Sequence, residues 1–417
     1  METFGDALRR LRTARGMSLR GLAQAALTDP GHLSRIENGR RGVPDLAIVR
    51  KLDEVLDTGG ELAAMLRGPW VCDGGIWRPA DSERLSAELV AEKPTPENAV
   101  NIAHEWLIAE PPQVTESRSG RRIGLGMVRK VERRVRQLRL LDDHVGGSDT
   151  YAMVTAELAA TIDLLQTRSY TEEVGKRLLV AVGELCQLAG WTTSDAGRYA
   201  EAERIYLLGV SAAHAGGDPV GAANNLSSLA YQMSNVGDST TAVTLARSAY
   251  AGAKHTATSK TRALLGERVA WAAARAGDAQ AAERALGVVE ADYAGQKPWE
   301  EDPEWVYWLS PEEVEVMAGR VWTQLKRPLR AVPILERAIV GYGADTGRET
   351  ALYQSWMAES LVQANEPERA AAAAAKSYRL SRQAGSVRAD DRVGLLRRKL
   401  RKFTGNAAVD AFLEESA

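Results

Sequence analysis

The stretch SLRGLAQAALTDPGHLSRIENG, residues 18–39, decides the fold of the N-terminal part of the chain. Its apolar residues recur at helical spacing, are interrupted just before Pro30, and then resume in a second short segment. Asp29 suits the N-cap of the second segment because its carboxylate can accept from free backbone N–H groups, and Pro30 suits the first helical position. Gly39 can supply the left-handed residue that ends the helix. The pattern predicts two helices joined by a tight turn, the second from about Pro30 to Asn38.

The surrounding residues extend this pattern over about residues 4–66. Its segments are, in order, Leu8-Arg9-Arg10-Leu11-Arg12, Ser18 with Leu22-Ala23, Leu33-Ser34-Arg35-Ile36-Glu37-Asn38-Gly39, Arg40-Arg41 and Pro44. This order resembles the repressor-type (Xre/Cro-like) helix-turn-helix family. One departure is Leu27, which stands in the turn where that family often has glycine. The resemblance implies a DNA-binding domain over residues 1–67, with its second helix in the major groove.

The resemblance also implies which residues would contact double-stranded DNA. Arg35 is the best candidate for reading a base, because an arginine can donate two hydrogen bonds to O6 and N7 of guanine. Glu37 is expected to tie the helices together rather than to approach DNA. The residues predicted to contact base edges or phosphates are Arg20, Gly31, His32, Ser34, Arg35, Asn38, Arg40 and Arg41. The alternative is that these arginines only solvate a surface.

Charge is segregated along the chain. The 417 residues carry a formal net charge of only -2, which does not by itself indicate nucleic acid. Residues 1–50, however, contain nine arginines and five acids, a net of +4, whereas residues 300–315 contain seven acids and no basic residue. Such a distribution is expected where one end of a chain meets phosphate and another does not.

The composition argues against several other classes of protein. Only Cys72 and Cys186 are present, far apart, so we expect neither a disulfide framework nor a metal site, and no cofactor. The N-terminus has no apolar signal segment and no run reaches the roughly 18 apolar residues of a membrane span, which favours a cytoplasmic protein with no membrane partner. The five histidines are scattered and neither an HExxH motif nor a P-loop occurs, so we do not expect an enzyme.

From about residue 183 the chain carries an internal repeat. Its turn anchors, spaced by 40, 40, 49 and 39 residues, are Gly197, Gly237, Gly277, Lys326 and Asn365. A small residue stands seven positions before each anchor, and an alanine stands five positions after it. Paired-helix repeats need small residues where one helix axis passes closest to the next.

This repeat resembles the tetratricopeptide (TPR) family, whose helix hairpins stack into a superhelix, although the spacing exceeds that family's period of about 34 residues. We therefore expect an all-α protein, with an N-terminal repressor-type helix-turn-helix domain followed by a TPR-like α-solenoid. Beyond residue 67, the expected parts are a connector with one helix at 68–120, a sensor and dimerisation domain at 121–385, and capping helices at 386–417.

A stacked-hairpin array has a concave groove lined mainly by the first helix of each hairpin. Amide side chains there can pair with the backbone of an extended peptide, while aromatic rings give flat apolar contact. The residues predicted to bind a peptide or small-molecule ligand are Gln187, Trp191, Asn224, Ser227, Tyr231, Asn235, Glu267, Trp271, Arg275, Arg320 and Gln324. The alternative is an ordinary polar inner face with no ligand.

Two further segments leave alternatives open. The helix expected over residues 128–141 has strongly basic faces, which either contact phosphate or, as we favour, dock against acidic neighbours. Residues 297–310, KPWEEDPEWVYWLS, combine aromatic residues with acids. Their rings either close the groove, form a dimer contact, or build a local satellite core under a long loop.

The leading hypothesis is a transcriptional regulator whose TPR-like domain dimerises and senses a peptide or small-molecule effector. The arrangement resembles bacterial HTH-TPR regulators, including peptide-responsive quorum-sensing regulators and the Ala/Gly/Arg-rich HTH-TPR regulators of actinomycetes. A small helix-turn-helix has limited grip, so a homodimer is expected to bind half-sites about 34 Å apart. The alternative is a TPR protein-interaction scaffold in which the helix-turn-helix is a protein contact.

Overall fold

The computed structural model describes residues 4–38, 46–58, 61–62, 76–77, 96–114, 117–118, 120–145, 147–340, 342, 347–384 and 387–417. The chain divides into two compact units, Met1–Asp73 and Gly74–Ala417. The fold is all-α, an N-terminal helix-turn-helix unit followed by a helical repeat-like region, and its described strands are a single two-residue pair.

The described helices of the N-terminal unit are α1 (Phe4–Ala14), α2 (Leu19–Ala25), α3 (Pro30–Glu37) and α4 (Leu46–Leu56). Ser18 caps α2 by accepting from the backbone N–H of Gly21, and Asp29 caps α3 by accepting from that of His32 at 2.7 Å. The apolar faces of all four helices form one core. Helix α3 ends at Glu37, one residue before the predicted end, and the predicted C-cap Gly39 lies outside the described residues.

The elements of the second unit are β1 (Ile76–Trp77), α5 (Pro96–Ile108), β2 (Gln113–Val114), α6 (Leu125–Val145), α7 (Gly147–Thr167), α8 (Glu172–Asp195), α9 (Tyr199–Gly216), α10 (Pro219–Val236), α11 (Ser239–Ala253), α12 (Ser259–Arg275), α13 (Ala279–Ala294), α14 (Pro311–Gln324), α15 (Pro328–Val340), α16 (Gly347–Gln363), α17 (Pro367–Ala384), α18 (Val387–Leu400) and α19 (Ala407–Glu415). Single 3₁₀ turns occur at Glu304–Val306 and Arg401–Phe403. The parallel pairing of β1 with β2 was not expected, because two residues carry no readable alternation.

Helices α8 to α17 pack as consecutive pairs, and the first helices of neighbouring pairs also contact each other. The pairs are α8–α9, α10–α11, α12–α13, α14–α15 and α16–α17, and the second series of contacts runs through α8, α10, α12, α14, α16 and α18. The first helices therefore form a continuous inner layer, as stacking of hairpins requires.

The predicted turn anchors all lie between the two helices of a pair. Four of them adopt the left-handed backbone conformation, namely Gly197, Gly277, Lys326 and Asn365, with φ values of 76°, 82°, 55° and 61°. Gly237 instead has a φ of -129°. The anchors recur because four of the five hairpins turn through the same conformation, which glycine and asparagine tolerate best.

The predicted small positions lie at the closest helix contacts. The five alanines that follow the anchors are all fully buried: Ala202, Ala242, Ala282, Ala331 and Ala370. At Gly190 on α8, a Cβ atom would lie 2.6 Å from the Tyr206 ring of α9. Helix α8 and helix α9 can therefore approach only because this position has no side chain.

The two ambiguous segments take the local alternatives. On α6, Arg134, Arg136 and Arg139 form ion pairs with Glu157, Glu304 and Glu184, so these basic residues dock against acidic neighbours. In the Trp-rich segment, Trp305 is buried in a cluster with Leu264 and Met317. Its neighbours Trp299, Tyr307 and Trp308 remain exposed. Within the described part of the chain, no helix combines the length and apolar character that a bilayer crossing needs.

Helix α9 buries the carboxyl group of Glu203, and Oε1 has no hydrogen-bond partner among the described residues. Burial raises the pKa of this group to about 7, although Arg204 acts in the opposite direction. A raised carboxyl pKa lowers stability above the folded pKa, and this cost disappears below the unfolded value near 4.5.

Replacing Glu203 with glutamine is therefore expected to stabilise the protein at pH 8 and to leave it unchanged at pH 4.5. The gain should be about 1 kcal/mol, less than the full pKa shift implies, because the side chain is more than a third exposed and solvent screens it. Denaturant unfolding at both pH values tests this. The exposed control Glu290→Gln should follow the wild type, and an equal gain at both pH values would contradict the assignment.

Candidate functional site

Helix α3 is held in place by a buried carboxylate at its C-terminal end. The side chain of Glu37 is 3% exposed and accepts from Arg12 Nε and Nη2 of α1 at 2.7 and 2.9 Å. Arg9 donates to the Glu37 carbonyl at 2.9 Å. At Gly5 of α1, a Cβ atom would lie 2.4 Å from the Ile36 carbonyl oxygen, so α1 contacts the backbone of α3 directly. The sequence-based expectation that Glu37 ties the helices together is confirmed.

The opposite face of α3 is accessible. Arg35 has a half-exposed side chain, 51%, and its Nη2 lies 3.8 Å from Asp29 Oδ1. Gly31, His32 and Ser34 are partly exposed on the same short helix. Arg20 on α2 is exposed and forms no ion pair with a described residue. The side chains needed to reach base edges and phosphates are therefore presented together.

Three of the predicted contacts differ in what can be said of them. Asn38 accepts from Arg9 Nη2 at 2.7 Å and donates to the Ser34 carbonyl at 2.7 Å, so its side chain closes the end of α3. This leaves its backbone as the group for a phosphate. Arg40 and Arg41 lie outside the described residues, and their predicted role stays a prediction.

The turn between α2 and α3 forces Leu27 into the left-handed conformation, with a φ of 52° and a side chain that is 88% exposed. Its N–H donates to the Gln24 carbonyl, and Thr28 N–H donates to the Ala23 carbonyl. A leucine therefore adopts the conformation for which glycine is preferred, at a cost of about 1 kcal/mol.

Replacing Leu27 with glycine is expected to stabilise the N-terminal unit by about 0.5 kcal/mol, the relief of strain less the entropy that glycine loses on folding. Denaturant unfolding of the full chain measures this. Gln24→Gly, at an exposed helical position, is the matched control and should destabilise by up to roughly 1 kcal/mol. A loss of stability in Leu27→Gly would mean that the exposed leucine makes a contact that compensates for the strain.

The geometry of α1 to α4 defines a helix-turn-helix domain, and comparison with known proteins agrees. Residues 3–66 match the family model described as a helix-turn-helix domain. Over 56 residues the chain is 46% identical to the HTH-type transcriptional repressor RghR of Bacillus subtilis (strain 168), which covers 13% of this chain and 42% of RghR. It is 43% identical over 56 residues to the uncharacterized HTH-type transcriptional regulator RghRB of the same organism, covering 13% and 40%. The chain thus spans less than half the length of these relatives, and the similarity concerns the N-terminal unit alone.

The second candidate site lies on the inner helix layer of the repeat. Five residues occupy the same repeat position, six before each anchor: Trp191, Tyr231, Trp271, Arg320 and Glu359. The first two rings stack with centroids 5.9 Å apart. Trp271 packs edge to face on Trp356 at 5.5 Å. One position of the repeat therefore builds a row of rings and charges across successive hairpins.

Arginines lie between these rings. The guanidinium carbon of Arg320 is 5.3 Å from the Tyr231 ring centroid and 4.6 Å from that of Trp271. Arg268 lies over Tyr231 at 4.5 Å, and Arg392 of α18 lies over Trp356 at 3.6 Å. We call this set the arginine–aromatic ladder; its members are Trp191, Tyr231, Trp271, Trp356, Arg268, Arg275, Arg320 and Arg392.

Two buried carboxylates support the ladder. Glu267, only 1% exposed, accepts from Arg320 Nη2 at 2.5 Å and from Arg268 Nη1 at 3.1 Å. Glu359 accepts from Arg392 Nη2 at 2.5 Å and also binds Lys399. Each carboxylate is thus shared by two cations, so neither arginine of a pair is fully neutralised.

The predicted ligand residues divide between the ladder and its supports. Trp271 donates from Nε1 to Asn235 Oδ1 at 3.1 Å, and Arg275 Nη1 donates to Gln324 Oε1 at 3.3 Å. Gln187 donates to Ser228 Oγ at 3.3 Å. Several of the predicted groove residues are buried against neighbouring helices: Asn224, Ser227, Glu267 and Trp271.

Sequence reasoning missed three ladder members, Arg268, Trp356 and Arg392. Arg268 and Trp356 share the repeat position nine before the anchor, one helical turn from the predicted row, so the spacing could have found them. Arg392 lies on α18 beyond the last anchor, and no repeat signal points to it.

Proposed function

We propose that the protein is a DNA-binding transcriptional regulator that acts as a homodimer and whose repeat, of the TPR type, senses a peptide or small-molecule effector. The observation that carries DNA binding is the open face of α3, with Arg35, His32 and Ser34 held outward by the buried Glu37 bracket. The printed descriptions of the relatives, a transcriptional repressor and a transcriptional regulator, support the same assignment for the N-terminal unit.

The homodimer follows from the size of the domain. A single α3 of eight residues reads only a few base pairs, so two copies on half-sites about 34 Å apart supply the affinity that a regulator needs. The inner layer of the repeat supports the sensing role, because it gathers rings, amides and guanidinium groups from α8, α10, α12, α14, α16 and α18. An effector there changes DNA binding only if it favours one arrangement of the repeat.

Selection of genomic DNA fragments by the purified protein tests this proposal. We expect enrichment of a palindrome with half-sites about one DNA turn apart, lost in the Arg35→Ala variant. Binding should weaken steeply between about 50 and 200 mM salt, because phosphate contacts release counterions. Salt-insensitive capture of proteins without DNA enrichment would instead favour the interaction-scaffold alternative.

A further inference from the structure

The arginine–aromatic ladder carries more positive charge than its acidic partners neutralise. Its four arginines and the adjacent Lys399 contact two carboxylates, Glu267 and Glu359. A third nearby carboxyl, Glu313, accepts from the hydroxyls of Tyr342 and Tyr353, and burial raises its pKa. Among the described residues, the ladder is therefore a partly buried region with an excess of cations.

The excess is concentrated where three helices meet. Burial lowers the pKa of Arg392, Glu359 raises it, and the charges of Arg275 and Arg320 lower it again. These three arginines come from α12, α14 and α18 and repel one another across a short distance. Buried like charges of this kind are costly unless an anion lies among them.

Arg275 is the group best placed to receive that anion. It is exposed, and its three nitrogens donate only to uncharged acceptors, the carbonyls of Ser234 and Asn235 and the side chain of Gln324. No described acid pairs with it. A guanidinium has five N–H groups, so it retains capacity for a carboxylate.

A second observation points the same way. The Nε atoms of Arg268 and Arg320 are buried and have no hydrogen-bond partner among the described residues. The side chain of Arg268 is 8% exposed and that of Arg320 is 12% exposed. Buried guanidinium donors are normally satisfied, so the ladder without a ligand leaves hydrogen-bonding capacity unused.

We propose that the effector is a carboxylate-bearing molecule whose carboxylate binds Arg275 at the exposed end of the ladder, beside Arg320 and Arg392, with its remaining atoms against the rings. This inference rests on the proposed sensing role of the repeat. The carboxylate belongs either to a small organic acid or to the C-terminus of a peptide.

Thermal unfolding of the full chain without DNA tests the site at fixed ionic strength. The probes are citrate, a pool of random-sequence peptides with free C-termini, and the same pool with amidated C-termini. We expect citrate or the free-carboxylate pool, but not the amidated pool, to raise the melting temperature. Stabilisation by citrate alone indicates a small acid, and stabilisation by the free pool identifies a peptide C-terminus.

Variants locate the effect. Arg275→Gln should weaken the probe that binds by about tenfold, and Arg275→Lys should recover part of the loss because it keeps the charge. Arg330→Gln is the matched control, because Arg330 also stacks on a tryptophan and pairs with a glutamate, Trp322 and Glu283, away from the ladder. Its binding should equal the wild type. Circular dichroism checks that each variant is folded.

Three results would overturn the inference: no stabilisation by any carboxylate, equal stabilisation by the free and amidated pools, or equal stabilisation of wild type and Arg275→Gln. Because DNA is absent, these results do not depend on the DNA-binding assignment. Carboxylate binding that leaves DNA affinity unchanged would support the site and contradict the proposed sensing role.

Discussion

Replacing Glu37 with alanine is expected to destabilise the N-terminal unit by about 3 kcal/mol, because it leaves the Arg12 guanidinium without its carboxylate in a largely buried position. Arg12 is only 16% exposed, and its bond to Glu37 raises its pKa, so the pair is held as ions. Loss of the carboxylate also releases the C-terminal end of α3. DNA affinity should therefore fall together with stability.

Denaturant unfolding of the full chain, followed by calorimetry, measures the change. The control is Glu54→Ala, which removes an exposed carboxylate paired with Lys51 on α4 and should leave the melting temperature unchanged. A second test combines Arg12→Met with Glu37→Leu. The apolar pair removes both charges and should recover much of the lost stability, since the cost of the single variant lies in the unpaired charge. A double variant as unstable as Glu37→Ala would contradict this explanation.

Local chemistry made much of the fold predictable from sequence. Asp29 and Pro30 gave the start of α3, because capping depends on neighbouring residues alone. The anchors gave the five hairpin turns, since the left-handed conformation limits which residues are tolerated there. Leu27 shows where this reasoning weakens. The turn keeps the conformation without glycine because the packed helices on both sides impose it.

The candidate site was predictable in part. Trp191, Tyr231 and Trp271 recur at intervals of 40 residues, so one repeat position identified the row of rings. The balance of charge was not readable, because it depends on which helices meet across repeats. Glu267 contacts Arg320 from 53 residues away, and Arg392 reaches Trp356 from outside the repeat. Such pairings follow from the stacking of hairpins rather than from local spacing.

The division of labour on the DNA-binding surface gives the second large effect. Arg35→Ala is expected to weaken binding to the selected operator by about 1–3 kcal/mol, or 5- to 150-fold, and to relax specificity at one base pair. The contact of Arg35 with Asp29 does not oppose this role. At 3.8 Å between half-exposed groups it contributes little, so the side chain can turn toward a guanine at small cost.

Arg20→Ala is the matched comparison, because it removes an exposed arginine from α2 in the same domain. If Arg20 meets a phosphate, its loss should weaken operator and random DNA equally and reduce the slope of log affinity against log salt by about one unit. Fluorescence anisotropy with operator and scrambled duplexes at several salt concentrations measures both quantities. Equal losses on the two duplexes for Arg35→Ala would assign that side chain to the backbone as well. Base recognition would then have to come from His32 and Ser34, which share the accessible face of α3.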